Sequence, residues 1–498
     1  MSRIIAAELD ARPAGLRAFE DVPVRLTRWA RRRRLAPNSV TVISLTLSCC
    51  AAVWFSAGTV ADDLGGGLAL CACYLAWRGA RRLAADESPA DVASAGMGSE
   101  ATPRARVSAA SLVTLSGAVS SAAVFAGLAV GGRVSGHTGT WELATAAMIM
   151  MAVGDVARAC RAEAVTVLSG AGPQSSHQAA RVIRTALAFP FGGRVALIVL
   201  DAPIWGARVT LLALLSWAIV GVGVTIASPV RRVASPADPF GAAGLDAAGL
   251  DDAPTAVVVP ITVAMPADVA APLPALAVAG GAAEAAGEVT LDEILAADPA
   301  EADTAEDLDL ASEPDRPVLT TTLACRDDGR LAVRLGQMVR GQLVPLAPAF
   351  AGLAATALLA LLGMRNLFGL LLLTPLIVML LAAFGSAHPH DRGLDWLTPS
   401  VLLGGQLLYV AGIGFSFRIM APLTFTLCVL IAVHCASLAS GAKPDSRAAA
   451  LGWEGRMFLV GFGAILGAPV IVFAGLAAYL AVSTGARILP RYVAPPGN

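Results

Sequence analysis

The stretch Val209–Val230, VTLLALLSWAIVGVGVTIASPV, contains no Asp, Glu, Lys or Arg. A helix needs roughly 20 mostly apolar residues to cross the hydrocarbon core of a bilayer, because each residue advances the helix by about 1.5 Å. Lipid offers no hydrogen bonds to the backbone, so such a run favours a transmembrane helix over a strand. The other runs without charge are Leu35–Ala61, Val107–Gly132, Leu343–Met364, Asn366–Gly385, Leu397–Phe417, Ile419–Gly441 and Met457–Ala486.

The composition agrees with a membrane protein. Only 15% of the residues are charged, and the mean hydropathy is +0.68. A soluble helical protein seldom lacks charge over so many long runs. With weaker apolar segments at Leu64–Trp77, Trp141–Val156 and Val195–Trp205, the sequence predicts an all-α, polytopic membrane protein of about eleven transmembrane helices in two blocks.

The two blocks are separated by an acidic segment. No basic residue occurs between Val233 and Pro314, and the composition there shifts to Ala, Pro, Gly, Asp and Glu. Such a segment buries too little apolar surface to offset its ordering entropy, so residues 233–320 are predicted to be a disordered linker. The predicted domains are therefore residues 1–232 and 321–498. Two patches in the linker, Val257–Val263 and Thr290–Glu293, leave open a docking segment for a protein partner.

Arginines set the expected orientation. Arg25, Arg28 and Arg31–Arg34 precede the first apolar run, and basic residues beside a span stay on the cytoplasmic side. The N-terminus and the acidic linker are thus expected in the cytoplasm, and the protein in the inner membrane of a bacterium. A GC-rich bacterial genome explains the abundance of arginine better than a nucleic-acid partner does. The cysteines lie mostly in apolar runs without zinc-site spacing, so neither a metal site nor structural disulfides are expected.

The sequence Leu35-Ala-Pro-Asn-Ser-Val-Thr41, preceded by an arginine-rich amphipathic stretch, resembles the opening of CDP-alcohol phosphatidyltransferases. Later features follow the same order: Gly79-Ala80-Arg81 after a short second span, a third span of small residues, and a hairpin with Gly193-Arg194 and Arg208-Val-Thr. The resemblance covers about Arg17 to Arg232 and implies a domain of six helices.

In that family the chemistry is carried by DxxDGxxAR followed by GxxxDxxxD, whose carboxylates hold divalent metal ions. Aligned on Ala80-Arg81, this chain has Cys73, Ala76 and Trp77 in place of the first two aspartates and the glycine. The second half of the motif falls on Ala90, Ser94 and Gly98. Magnesium needs several oxygen ligands, which these side chains do not supply. The resemblance therefore implies a scaffold without catalytic residues or a cofactor, which binds membrane lipids or a partner protein.

Two other functions stay open. A working CDP-alcohol phosphotransferase would use Mg²⁺ and the displaced acids Asp86, Glu87 or Asp91. A transporter would use Asp201 and the broken Gly/Pro run near Pro469, since an acid at membrane depth marks a pathway. Pro203 instead suggests that Asp201 lies in a loop near the surface. The oligomeric state is open as well, including a homodimer.

Arg78, Arg81 and Arg82 form a basic cluster near the end of the predicted second span. Guanidinium groups pair well with phosphate, so these residues are candidates for binding a lipid headgroup. The alternative is a cluster that only fixes topology at the cytoplasmic interface.

The C-terminal block, from about Thr321, resembles a membrane domain of high-GC bacteria that has no assigned activity. The resemblance is carried by Arg326-Asp-Asp-Gly329, Arg340-Gly-Gln-Leu-Val-Pro-Leu, Ala387-His-Pro-His-Asp-Arg-Gly-Leu-Asp-Trp396 and Leu451-Gly-Trp-Glu-Gly-Arg456. It adds no mechanism of its own.

The loop between two C-terminal spans supplies further candidates for binding lipid or phosphate. They are His388, His390, Asp391, Arg392 and Asp395, together with Arg456 from the next loop on the same side. Histidines and carboxylates at this spacing also allow a metal to bind, while a polar turn anchored by Trp396 is the plainer alternative. His434, within a span, is expected to form a hydrogen bond between helices.

Overall fold

The structure, a computed structural model, describes residues 14–33, 35–86, 102–168, 190–227, 326–339, 344–364, 369–385, 394–439 and 451–488. The helices before the linker are α1 Ala14–Arg32, α2 Pro37–Ser56, α3 Val60–Asp86, α4 Thr102–Val134, α5 Thr140–Leu168 and α6 Phe191–Ala227. Those after it are α7 Arg330–Val339, α8 Leu346–Leu362, α9 Thr374–Ala383, α10 Thr398–Ser416, α11 Ala421–Ala439, α12 Trp453–Ile465 and α13 Pro469–Ile488. Short 3₁₀ turns, Gly369–Leu373 and Asp395–Leu397, precede α9 and α10. The described residues contain no strand, so the all-helical prediction is confirmed for them.

Seven of the described helices are long and apolar enough to cross a membrane. They are Pro37–Ser56, Leu112–Val134, Thr140–Ala164, Phe191–Ala227, Asp395–Ser416, Ala421–Leu438 and Pro469–Ala486. This supports a multi-pass membrane protein, but it does not support the predicted count of about eleven spans.

Three predicted spans form helices that are short or charged, and the two predicted spans in α6 count as one. At about 1.5 Å per residue, the 17 residues of α8 reach about 25 Å, less than the roughly 30 Å core. Gly369–Ala383, which includes α9, is likewise among the apolar helices of fewer than 18 residues. Gly363 and Gly467, both with positive φ, end α8 and α12 within their uncharged runs. In α3, Asp62 and Asp63 stand in the first turn. An uncharged run therefore limits where a helix lies but does not fix its length.

A non-helical residue, Gly206, divides α6 into two arms, with φ 74° and ψ 172°. Arg194 in the first arm forms an ion pair with Asp155 of α5. In the second arm, Val222 packs on Gly154, the neighbouring position of α5. Both arms thus lie beside the same part of α5, as in the hairpin that the sequence predicts here.

Asp201 and Pro203 lie within the first arm of α6, not in a loop. The prediction of a surface loop was wrong at this point. Proline costs least in the first turn of a helix, yet here it stands near the end of the arm. The arm ends soon after it, at Gly206, which adopts a backbone conformation that other residues rarely reach.

Close contact between α2 and α4 organises the first block. A Cβ atom at Gly127 would lie 2.4 Å from the carbonyl oxygen of Ala52, and one at Gly131 would lie 2.0 Å from that of Phe55. The two glycines are one turn apart, so the helix backbones meet directly at this face. Small residues at this spacing are a common way for membrane helices to pack.

Helices from before and after the linker pack together. α4 and α5 contact α11, and α5 also contacts α10. Trp141 of α5 lies edge-on to Phe425 of α11, with ring centroids 5.6 Å apart. The described residues on both sides of the linker belong to one compact unit with a shared apolar core. The predicted linker, residues 233–320, and its two patches lie outside the described residues.

Candidate functional site

Cys73 stands at the centre of the first block, where the resemblance expects the first metal-binding aspartate. Its side chain is fully buried. Ser44 of α2 donates a hydrogen bond of 3.1 Å to the Cys73 carbonyl, and its Oγ lies 3.4 Å from the thiol. On the other side, the thiol lies 3.9 Å from Ser120 Oγ of α4. Three small polar groups from three helices thus meet at this point.

Trp77 fills the space beside this centre. Its indole nitrogen donates a 2.8 Å hydrogen bond to the Val113 carbonyl. Its ring stacks with Tyr74 at 6.2 Å and meets the edge of Phe191 at 5.1 Å. An aromatic cluster therefore occupies the position where the resemblance expects a glycine.

These residues do not fit a magnesium site. Hard cations take oxygen ligands, chiefly carboxylates, whereas the centre offers a thiol, two hydroxyls and the methyl of Ala76. Among the described residues, no group of three or more His, Cys, Asp or Glu side chains is arranged to hold a metal ion. Glu87, Ala90, Asp91, Ser94 and Gly98 lie outside the described residues, as does the side chain of Asp86.

The predicted arginine cluster lies at the end of α3. The Arg78 guanidinium stands 5.9 Å from the Tyr74 ring centroid, and that of Arg81 5.6 Å from the Trp77 ring centroid. Arg82 has a buried Nη1 with no hydrogen-bond partner. Such contacts with aromatic faces orient a guanidinium without neutralising it.

Helix α1 packs on α3 and extends this basic surface. Thr27 and Ala30 are buried. Five arginines on the other faces of α1 and in the residue after it are exposed: Arg25, Arg28, Arg31, Arg32 and Arg33. Trp29, which is 48% exposed, lies among them. We call these residues, together with Arg78, Arg81 and Arg82, the arginine surface.

A second polar site lies in the C-terminal block, around Arg456 at the start of α12. Arg456 is fully buried. Its Nη2 donates hydrogen bonds to Asp327 at 2.5 Å and to Gln406 of α10 at 3.3 Å. Its Nη1 donates to the Leu451 carbonyl at 2.8 Å. The ion pair thus ties α12 to the segment just before α7.

His434 of α11 joins the same cluster. Its Nε2 lies 3.5 Å from Asp327, and its Nδ1 lies 3.5 Å from the Thr484 hydroxyl of α13. The ring therefore stands between two helices, as expected for a residue that bonds helices together. Burial alone would raise the pKa of the Asp327 carboxyl, but the neighbouring Arg456 and His434 outweigh burial and hold that pKa well below its usual range.

The residues around Asp327 continue the network. Trp453 donates its indole hydrogen to Asp328 at 3.0 Å and its backbone N–H to the Asp327 carbonyl at 3.1 Å. Arg326 pairs with Asp328. Arg326 also donates to the carbonyls of Ala382 and Gly385, at 3.3 and 3.2 Å, where α9 ends. The Arg326–Gly329 segment is thereby fixed to α9, α11 and α12 at once.

Glu454 caps α7 from another helix. Its carboxylate accepts hydrogen bonds from the backbone N–H groups of Gly329 at 3.1 Å and Ala332 at 3.3 Å. A carboxylate at this position satisfies N–H groups that a helix start leaves unpaired. A Cβ at Gly329 would lie 2.3 Å from this carboxylate, so the close approach requires glycine.

Of the predicted residues in the C-terminal block, the structure describes Asp395 and Arg456. Asp395 is 3% exposed, in a 3₁₀ turn that contacts α5. Both residues are enclosed by protein. His388, His390, Asp391 and Arg392 lie outside the described residues. Phosphate binding by this set of residues stays a prediction.

Sequence reasoning did not identify Asp327 and Gln406 as partners of Arg456, or Asp155 as a partner of Arg194. Arg194 donates a 2.5 Å hydrogen bond to Asp155, which also pairs with Arg158. One signal was available, because a charged residue beside a long uncharged run needs a partner once it is buried. The sequence does not indicate which acidic residue is that partner.

No protein-family model, curated protein or solved structure matches this chain.

Proposed function

We propose that this protein is a non-catalytic scaffold of the bacterial cytoplasmic membrane that binds anionic lipid headgroups at its arginine surface. In this proposal the first block keeps a phosphatidyltransferase-like arrangement of helices but has lost the metal chemistry. The observation that carries it is Cys73, held between Ser44 and Ser120 where a metal-binding carboxylate would be needed.

The donor set argues against phosphotransfer. A CDP-alcohol carries a pyrophosphate whose charge must be neutralised during transfer, and hard oxygen-bound cations do this in related chemistry. Cys73 and Ala76 provide no carboxylate, and Trp77 brings a large ring into the same space. A purified protein supplied with Mg²⁺ and a CDP-alcohol is therefore expected to release no CMP above background. Release that is lost on Asp91→Ala would overturn this part of the proposal.

The arginine surface argues for lipid binding. Its guanidinium groups are exposed on α1 beside Trp29, an aromatic residue typical of membrane interfaces. Each basic residue near an anionic membrane surface contributes about 1 kcal/mol of attraction. The cation–π contacts at Arg78 and Arg81 hold two guanidinium groups in place without using their hydrogen-bond donors on an acid.

Native mass spectrometry of the detergent-purified protein with added phosphatidylglycerol tests this binding. The variant Arg78→Gln/Arg81→Gln is expected to bind the lipid about 30-fold more weakly, since two charges of about 1 kcal/mol each are removed. The matched control is Arg133→Gln/Arg418→Gln, which removes two exposed arginines from the end of α4 and the α10–α11 turn. Equal binding by the wild type and both variants would contradict the proposal.

A further inference from the structure

A cleft of about 500 Å³ lies between α7, α9 and α12. Its walls are mainly apolar and include Leu331, Leu376, Leu380, Leu451 and Phe458. The volume falls within the range of about 300–1,000 Å³ that is usual for small-ligand sites. We call it the α7–α12 cleft. It shares no residue with the arginine surface, so what it binds is a question independent of the proposed function.

The cleft is bordered by the apolar outer surface of the protein. Leu331 and Phe458 on its wall are 49% and 46% exposed. Phe458 stacks on Phe462, which is also exposed, with ring centroids 5.5 Å apart. A group of exposed apolar side chains on a protein with membrane-spanning helices fits a surface in contact with lipid. A ligand for this cleft is therefore drawn from the bilayer and carries a hydrocarbon chain.

One buried charge lies on the cleft wall. Glu454 is a lining residue and only 5% exposed, and its carboxylate lies against two lining glycines, Gly329 and Gly452. The carboxylate accepts hydrogen bonds from three backbone N–H groups, those of Gly329, Ala332 and Glu454 itself. A carboxylate has about four acceptor sites, so it can accept a further hydrogen bond. Among the described residues, no cationic side chain makes a direct ion-pair contact with Glu454; Arg456 attracts it from a distance, and its own direct ion pair is with Asp327. A buried carboxylate is strongly favoured by a cationic partner.

An opposite charge lines the same cleft. Arg330, the first residue of α7, is exposed and lines the cleft together with Glu454. Three glycines, Gly329, Gly452 and Gly455, form the lining around the carboxylate. The cleft thus presents an apolar channel, a buried anion and an exposed cation.

From this arrangement we infer that the α7–α12 cleft binds a zwitterionic phospholipid with a primary ammonium headgroup, the phosphatidylethanolamine class. The ammonium donates hydrogen bonds to Glu454, the phosphate pairs with Arg330, and an acyl chain lies between Leu376, Leu380 and Phe458. Phosphatidylcholine has the same charges, but its quaternary nitrogen carries no N–H to donate. It therefore serves as the matched ligand control.

The test compares lipids on the wild-type protein. Native mass spectrometry in detergent, with phosphatidylethanolamine, phosphatidylcholine and phosphatidylglycerol of identical chains, is expected to give about tenfold tighter binding of phosphatidylethanolamine than of phosphatidylcholine. Phosphatidylethanolamine and phosphatidylcholine binding equally would overturn the inference. So would displacement of phosphatidylethanolamine by phosphatidylglycerol.

Variants assign the binding to this cleft. Arg330→Gln, at an exposed position, is expected to weaken phosphatidylethanolamine binding several-fold, whereas Arg334→Gln, exposed on the same helix but outside the cleft lining, leaves it unchanged. Glu454→Gln is expected to remove the preference for phosphatidylethanolamine over phosphatidylcholine. If Glu454→Gln does not fold, the Arg330 and Arg334 pair still decides the question, because equal binding by the two variants would place the lipid elsewhere.

Discussion

Arg456 is fully buried, although arginine is among the residues least often found inside proteins. Its burial is tolerated because Asp327 supplies the opposite charge, while Gln406 and the Leu451 carbonyl accept further hydrogen bonds. Removing one partner of a buried ion pair costs more than removing both, because the remaining charge stays uncompensated. This asymmetry makes the pair testable.

Asp327→Asn is expected to lower the free energy of unfolding by about 3–5 kcal/mol, because it leaves Arg456 buried without a charged partner. Thermal unfolding in detergent measures the loss. Glu142→Gln, an exposed acid in the first turn of α5, is the control and should change stability by less than about 0.5 kcal/mol. The double variant Asp327→Leu/Arg456→Met should be more stable than Asp327→Asn. Equal losses in Asp327→Asn and Glu142→Gln would show that the pair does not hold the fold.

The pH dependence of this loss follows from the lowered pKa of Asp327. A carboxyl whose pKa is lower in the folded than in the unfolded state, where it is about 3.9, adds stability that is present above the unfolded value. That stability is lost as the pH falls toward the folded value. The difference in melting temperature between wild type and Asp327→Asn should thus stay constant from pH 8 to pH 5 and shrink only below about pH 4. A difference that shrinks between pH 7 and pH 5 would contradict the assignment.

At the scale of elements, packing between α2 and α4 depends on the absence of side chains. Gly127 and Gly131 let the α4 backbone approach the carbonyl oxygens of Ala52 and Phe55. Without a hydrophobic drive between helices inside lipid, such close van der Waals contact is a main source of helix association. Both glycines lie in a run that the sequence identifies only as apolar.

Gly131→Ala is expected to destabilise the protein by about 1–3 kcal/mol, because the added Cβ would overlap the Phe55 carbonyl and push the helices apart. Gly223→Ala in α6 is the matched control. A Cβ at Gly223 meets no other atom within 4 Å, so the same substitution there should be neutral or stabilise the helix by up to about 1 kcal/mol. The two variants can be compared by thermal unfolding in one detergent. Similar melting temperatures would indicate that α2 and α4 do not meet at Gly131.

At the scale of the whole molecule, the described helices from before and after the linker form one packed unit. The contact between Trp141 and Phe425 and those of α5 with α10 and α11 lie in the shared core. Van der Waals contacts between packed helices do not depend on a covalent link between them. We therefore expect the described helices to pack together without a continuous chain between residues 233 and 319.

Co-expression of residues 1–233 and 319–498 as separate chains is expected to give a complex that purifies through a tag on either chain. Trp141→Ala should weaken it, since truncating a large core residue typically costs about 3–5 kcal/mol. Trp54→Ala is the control, because Trp54 is 48% exposed and lies on α2. Chains that purify separately, with native-like helical content in each, would contradict the shared core.

The sequence alone determined the class of the protein and the places where helices form. Runs without charge predict membrane helices because lipid offers no hydrogen-bond partners to the backbone and no counter-charge to an ionised side chain. Each of the runs contains a described helix. It also identified the arginines near the end of α3 and the absence of carboxylates at Cys73 and Ala76, since both are visible as residue types.

Tertiary structure decided the helix lengths and the partners. Glycines such as Gly363 and Gly467 end helices only when their backbones take positive φ, which an apolar run does not reveal. Asp327 and Arg456 are 129 residues apart in the chain, and either could have paired with another charge or remained in water. The fold brings them together because several helix ends converge there, and the energy of a buried charge depends on that geometry rather than on sequence distance.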